Sequence, residues 1–181
     1  MKKCIFSIVF SSVFLLVNAQ FLANYELNAG VAIQKTQKLY WENGIGVDFT
    51  SDFLLDKKMY LKVSYVTSRL GSAMGTNAIR QDNFTVGADW HFFHKNAFHI
   101  FTGINTGFFY ADYEIDAFDI LPNSSPLLQF NTGIYYKFNN PFTASLSIGY
   151  NFVNGNGTTT PGTLFPVFYQ FKVLYSFKLS K

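Results

Sequence analysis

The chain has 181 residues, of which 49% are hydrophobic, 19% aromatic and only 14% charged, with 14 basic against 11 acidic side chains. Assigning Lys2 and Lys3 to a leader brings the rest almost to balance, which leaves no basic surface for nucleic acid. Cys4 is the only cysteine and lies in that leader, so a disulfide framework and cysteine-based metal or nucleophile chemistry are excluded from the mature chain.

Residues 1–19 read as a secretory signal peptide. Lys2 and Lys3 precede a largely apolar run from Ile5 to Val17, and Val17 and Ala19 stand at the −3 and −1 positions before Gln20. The run is too short for a spanning helix. A single domain is expected over residues 20–181, and no later stretch approaches the ~18 apolar residues of a membrane helix.

Beyond the leader the chain alternates between large apolar and small or polar residues, the period of a β-strand with two unlike faces. The first strand is expected over about 24–34, with Tyr25, Leu27, Ala29, Val31 and Ile33 on one face and Glu26, Asn28 and Gly30 on the other. The second, about 41–52, sets Trp41, Ile45, Val47 and Phe49 against Glu42, Gly44, Gly46 and Asp48 after a short polar connection at 35–40. The third, about 59–68, opposes Leu61, Val63 and Tyr65 to Lys62 and Ser64.

The fourth strand, about 83–93, places Phe84, Val86, Ala88, Trp90 and Phe92 opposite Thr85, Gly87, Asp89 and His91. A three-residue turn at His94, Lys95 and Asn96 is expected, with Asn96 supplying the left-handed position. The fifth strand, 97 to about 109, then faces Phe98, Ile100, Ile104 and Phe108 one way and His99, Gly103, Asn105 and Gly107 the other. Keeping both faces pairs His91 with His99, Trp90 with Ile100 and Gly87 with Gly103.

The sixth strand, about 127–138, has Phe130, Ile134 and Tyr136 opposite Gln129, Asn131, Gly133 and Lys137, and a tight turn follows at 139–141. The seventh, 142–153, alternates without interruption between Phe142, Ala144, Leu146, Ile148, Tyr150 and Phe152 and the polar set Thr143 to Asn151. The eighth, about 166–179, carries Val167, Tyr169, Phe171, Val173, Tyr175, Phe177 and Leu179 on its apolar face and Gln170, Lys172 and Ser176 on the other.

Eight antiparallel strands of ~10 residues are long enough to cross a bilayer when tilted. Tight turns at 94–96 and 139–141 alternate with longer segments at 69–82, 110–126 and 154–165, the asymmetry of an outer-membrane barrel with periplasmic termini. Strand glycines share the polar face, as the narrow interior of an eight-stranded ring requires. Glu26, Glu42, Asp48 and Asp89 against Lys62, Lys137 and Lys172 are the candidate members of a paired lumen network, because unpaired buried charge is costly. Aromatics near both ends of the apolar face form expected interfacial girdles.

With this leader, strand count and alternation, the chain resembles the small outer-membrane β-barrel families, the porin-family barrels typified by OmpX, the OmpA membrane domain and OmpW. Tyr175, Phe177 and Leu179 keep the alternating pattern of an assembly signal, although the chain ends in Ser180 and Lys181 rather than Phe. The resemblance implies an all-β up-and-down transmembrane barrel, a monomer in contact with membrane lipids, lipopolysaccharide and the outer-membrane assembly machinery, with no cofactor.

Catalysis is not expected. His91, His94 and His99 fall at the turn end, without the His-x-Ser-Asn segment of the lipid A deacylases, and two inward histidines fall short of a metal's usual three or four ligands. Asp112, Glu114, Asp116 and Asp119 make the third long loop acidic, and hard oxygen ligands of that kind could contact a divalent cation at lipopolysaccharide phosphates; a solvated acidic loop is the simpler reading. The loop GNGTTTPG at 155–162 is small and polar, a place for an extracellular partner. The expected role is structural or surface-interacting, with a narrow pore as alternative and a lipid A-modifying enzyme as a third reading.

Overall fold

A computed structural model describes residues 24–36, 41–68, 79–113, 121–155 and 166–179. The expected leader at 1–19, most of the connection at 35–40, the loops about 69–78 and 156–165, and Glu114, Asp116 and Asp119 lie outside these residues. Eight strands follow one another: β1 (Tyr25–Thr36), β2 (Trp41–Thr50), β3 (Met59–Thr67), β4 (Ile79–Phe92), β5 (Phe98–Tyr113), β6 (Ser124–Lys137), β7 (Phe142–Val153) and β8 (Val167–Leu179). Each pairs antiparallel with the next, and β8 returns to β1, from Tyr25 opposite Leu179 to Thr36 opposite Phe168, so the sheet closes on itself without an edge.

Two faces follow from the two parities. Ile45, Val63, Val86, Ile104, Phe130, Leu146 and Phe171 are among the many large apolar side chains exposed on the outside, whereas Glu26, Asn28, Asp48, Lys62, Asp89 and Lys172 are buried within the ring. Two threonine hydroxyls on the outer face bond back to the sheet: Thr102 donates to the Asn131 carbonyl at 3.3 Å and Thr132 to the Phe101 carbonyl at 2.9 Å. These two therefore expose no unmet donor to an apolar surround.

The strands depart from the expected bounds mainly at the loop end. β4 begins at Ile79 and β5 continues to Tyr113, because each supplies the other's ladder partners, with Asp82 opposite Tyr110 and Arg80 opposite Asp112. Asp112 is accordingly a strand residue, exposed beside Arg80's strand position, and not part of a loop as expected.

The β4–β5 hairpin corrects the expected register. His91 stands opposite Phe101, Trp90 opposite Thr102 and Gly87 opposite Asn105, a slip of two residues from the pairing of His91 with His99. The turn is longer than three residues: Asn96 N–H donates to the Phe93 carbonyl at 2.9 Å, and Phe93, not Asn96, takes the left-handed conformation at φ 58°. A shift of two preserves both faces, so alternation could not detect it.

Cysteine cross-linking in a Cys4→Ser background reads this register directly. Val86→Cys with Thr106→Cys, opposite one another on the outer face, should oxidise to a disulfide, whereas Val86→Cys with Ile104→Cys should stay reduced. The reverse result would restore the shorter turn.

Candidate functional site: a packed lumen

The interior is built in layers, and each begins with strand parity. At the turn end Tyr60, His91, His99, Phe101 and Tyr135 all occupy the inward parity of their strands and are buried. Tyr60 stacks on His91 with centroids 4.1 Å apart, His91 stacks on Phe101 at 5.5 Å, and Tyr135 lies 4.9 Å from His99. His99 Nδ1 lies 3.1 Å from the Asn96 carbonyl, which can only accept, so that nitrogen carries the proton. Its Nε2 then accepts from His91 Nδ1 at 2.9 Å. Both nitrogens of His99 and Nδ1 of His91 are thus engaged in internal bonds. Lys137 donates to the Tyr60 hydroxyl at 3.0 Å and reaches Glu26 at 3.5 Å, closing the layer toward the mouth.

The middle layer is ionic. Lys62 and Asp89 form a 2.7 Å pair with both side chains almost wholly buried, and the Asn131 amide oxygen approaches Lys62 at 3.2 Å when its nitrogen faces the Gly103 carbonyl. Lys172 and Asp48 stand 4.0 Å apart, a Coulombic contact longer than a hydrogen bond. Asn105 donates to Gln129 at 3.0 Å and Gln129 to Asn151 at 2.9 Å, and Ser176 bonds Asn28. These amides carry the polar lining around the ring.

Glycine makes room for the large groups. Asp89 lies opposite Gly103, where a Cβ would collide with its carboxylate, and Phe168 lies opposite Gly149, where a Cβ would enter its ring.

At the loop end Glu42 is buried apart from the lysines. Among the described residues its partners are neutral: Gln34 donates at 2.6 Å, Thr36 at 2.9 Å and Gln81 at 2.5 Å, and Gln170 steadies Gln34 at 2.9 Å. Beyond it Phe109, Ala111, Leu127 and Val153 make a buried apolar cluster, with Phe168 also buried. The lumen residues named from sequence therefore lie inside the ring, but Glu42 is held by amides where an ion pair was expected. Sequence reasoning passed over Tyr60, Phe101, Tyr135 and Phe168, although their parity with Lys62, His99, Lys137 and Lys172 was a sufficient signal.

No group of three or more metal-ligating side chains occurs among the described residues. Outside the strands, Asp52 accepts from Asn24 at 2.8 Å and pairs with Lys57 at 3.4 Å; the Asn24 bond, ahead of Lys57, holds its carboxyl below the usual range.

The central pair is open to a double-mutant cycle. Lys62→Met strands the Asp89 charge and should lower unfolding free energy by about 3–5 kcal/mol in a urea titration. Adding Asp89→Leu should recover most of that loss; simple additivity would mean that the two side chains do not act as a pair.

No protein-family model and no curated protein matches the sequence. Solved structures do match. The N-terminal β-barrel domain of Pseudomonas aeruginosa OprF superposes with a TM-score of 0.57 at 12% identity, over 85% of this chain and 97% of that one. Ail, the attachment invasion locus protein of Yersinia pestis, gives 0.53 at 13% identity over 86% and 99%. The outer membrane protein OprG from Pseudomonas aeruginosa gives 0.52 at 14% identity over 87% and 97%. At such identities the likeness is one of fold, and the chain has the small closed-barrel architecture that these proteins share.

Proposed function

We propose that this chain is an integral outer-membrane barrel with a self-plugged lumen, whose role is structural or surface-interacting rather than transport or catalysis. The observation that carries this reading is the pair of closing layers: Tyr60, His91, His99, Phe101 and Tyr135 at the turn end, and Phe109, Ala111, Leu127 and Val153 at the loop end. An ionic and amide layer fills the space between them. A water path would have to cross both closing layers. The exposed apolar outer face supports lipid as its surround, because a chain in water would leave that surface unsatisfied. The likeness to Ail, by name an attachment and invasion protein, supports a role for the loop end at the cell surface.

Export through a signal peptide at residues 1–19, residence as a monomer and contacts with lipopolysaccharide and an assembly machinery belong to the same reading. A cation contact at the acidic segment, Asp112 with Glu114, Asp116 and Asp119, is a further part of it. A non-enzymatic role is supported by the histidines: His91 and His99 bond each other among aromatic rings, which engages both nitrogens of His99 and Nδ1 of His91 inside the barrel.

Two measurements test this. Purified protein in a planar bilayer should be electrically silent, and stepwise conductance would make the narrow pore the better reading. Val63→Arg, in the middle of β3's outer face, should cost about 2–4 kcal/mol of stability in lipid vesicles. A cost within about 0.5 kcal/mol would match a water-facing surface and overturn the membrane reading.

A further inference from the structure

The turns at one end of the barrel carry a surface that the lumen does not use. Phe53 and Leu55 in the β2–β3 turn, Phe93 in the β4–β5 turn and Phe138 in the β6–β7 turn are all exposed, Phe93 to 72%. Their presentation costs backbone strain. Phe93 is left-handed at φ 58°, and Leu55, Asp56 and Lys57 are left-handed in succession at 55°, 57° and 59°, conformations that bulky L residues rarely adopt. Leu54, between two exposed apolar neighbours, is buried and anchors the turn.

Lysines share these turns. Lys57, Lys58 and Lys95 lie in the turns with Asp52 and Asp56, and Lys178, near the end of β8, stands opposite Glu26. At the opposite rim the described strand ends carry Lys35 and Arg80 against Asp82 and Asp112. The net positive charge of the described residues is thus concentrated at the turn end.

From this arrangement, and resting on the membrane reading above, we infer that the turn-end rim is a binding surface for anionic phospholipid headgroups. The apolar side chains continue the girdle of Phe92, Phe98, Tyr136, Phe142 and Tyr175 just inside them, so they meet the same leaflet at headgroup depth. The lysines stand beside them where lipid phosphates lie. The surface also spans three successive hairpins of a closed ring, distributed around the mouth. A globular protein partner would cover one side of such a rim, whereas a leaflet touches all of it. Short turns put this end on the periplasmic side, where the leaflet is phospholipid rather than lipopolysaccharide.

Native mass spectrometry of the full chain, released from nanodiscs of mixed phosphatidylglycerol and phosphatidylcholine, tests the inference. One lysine near an anionic surface gains about fivefold in partition, so retention should favour phosphatidylglycerol by about tenfold or more and weaken in high salt. Lys58→Glu and Lys95→Glu together should abolish the preference, the two corresponding Gln changes should reduce it, and Lys35→Glu at the far rim should leave it intact. Equal retention of both lipids, equal loss in Lys35→Glu, or displacement of the lipid by soluble glycerol phosphate would overturn the inference. A heat-dependent shift in electrophoretic mobility, run on the same samples, separates the two levels. A chain that inserts without lipid preference refutes this surface alone, and one that never inserts refutes the membrane reading with it.

Discussion

Closure of the sheet is the constraint on which everything else depends. Once β8 pairs with β1 along the whole of β1, no strand edge remains and every backbone donor in the ladder has a neighbour. The same closure limits the interior, because eight strands enclose a space about as wide as the side chains that fill it. Each inward position therefore competes for volume with its neighbours across the ring. Lys62 opposite Gly87, Asp89 opposite Gly103 and Phe168 opposite Gly149 are solutions to that competition, a large group on one strand facing none on the next.

Filling the interior raises an electrostatic question that the lumen answers in two ways. Three carboxylates have lysine neighbours, from the tight Lys62–Asp89 contact at 2.7 Å to the looser Lys172–Asp48 contact at 4.0 Å. The fourth, Glu42, is surrounded by Gln34, Thr36 and Gln81, whose donors converge on its two oxygens. Hydrogen bonding compensates desolvation without adding another charge to a crowded layer. The histidines follow the same economy, since His99 bonds the Asn96 carbonyl and His91 Nδ1 while the ring faces pack on Tyr60, Phe101 and Tyr135.

Much of this barrel was legible in the chain, and the reason is periodicity. A strand repeats every two residues, so the side of each residue is a local property and needs no knowledge of its partner. The inward placement of Glu26, Asp48, Lys62, Asp89 and Lys172 and the outward placement of Val63, Val86 and Ile104 follow from parity alone. The β4–β5 register does not, because pairings two residues apart have the same parity; the left-handed turn at Phe93 selects between them. Strand length also escaped local reading where β4 and β5 extend each other beyond the expected loop.

Alternation, glycine parity and charge type by themselves determined that this chain forms a two-faced, closed eight-strand sheet with its polar groups inside. Only the tertiary structure decided which polar groups meet. Lys62 and Asp89 come together across β3 and β4, where Lys62 stands opposite Gly87, and Glu42 finds amides from β1 and β4 rather than a lysine. The distinction is physical. Facing is a one-strand property with a period of two, whereas contact depends on the shear of the whole ring, to which every turn contributes.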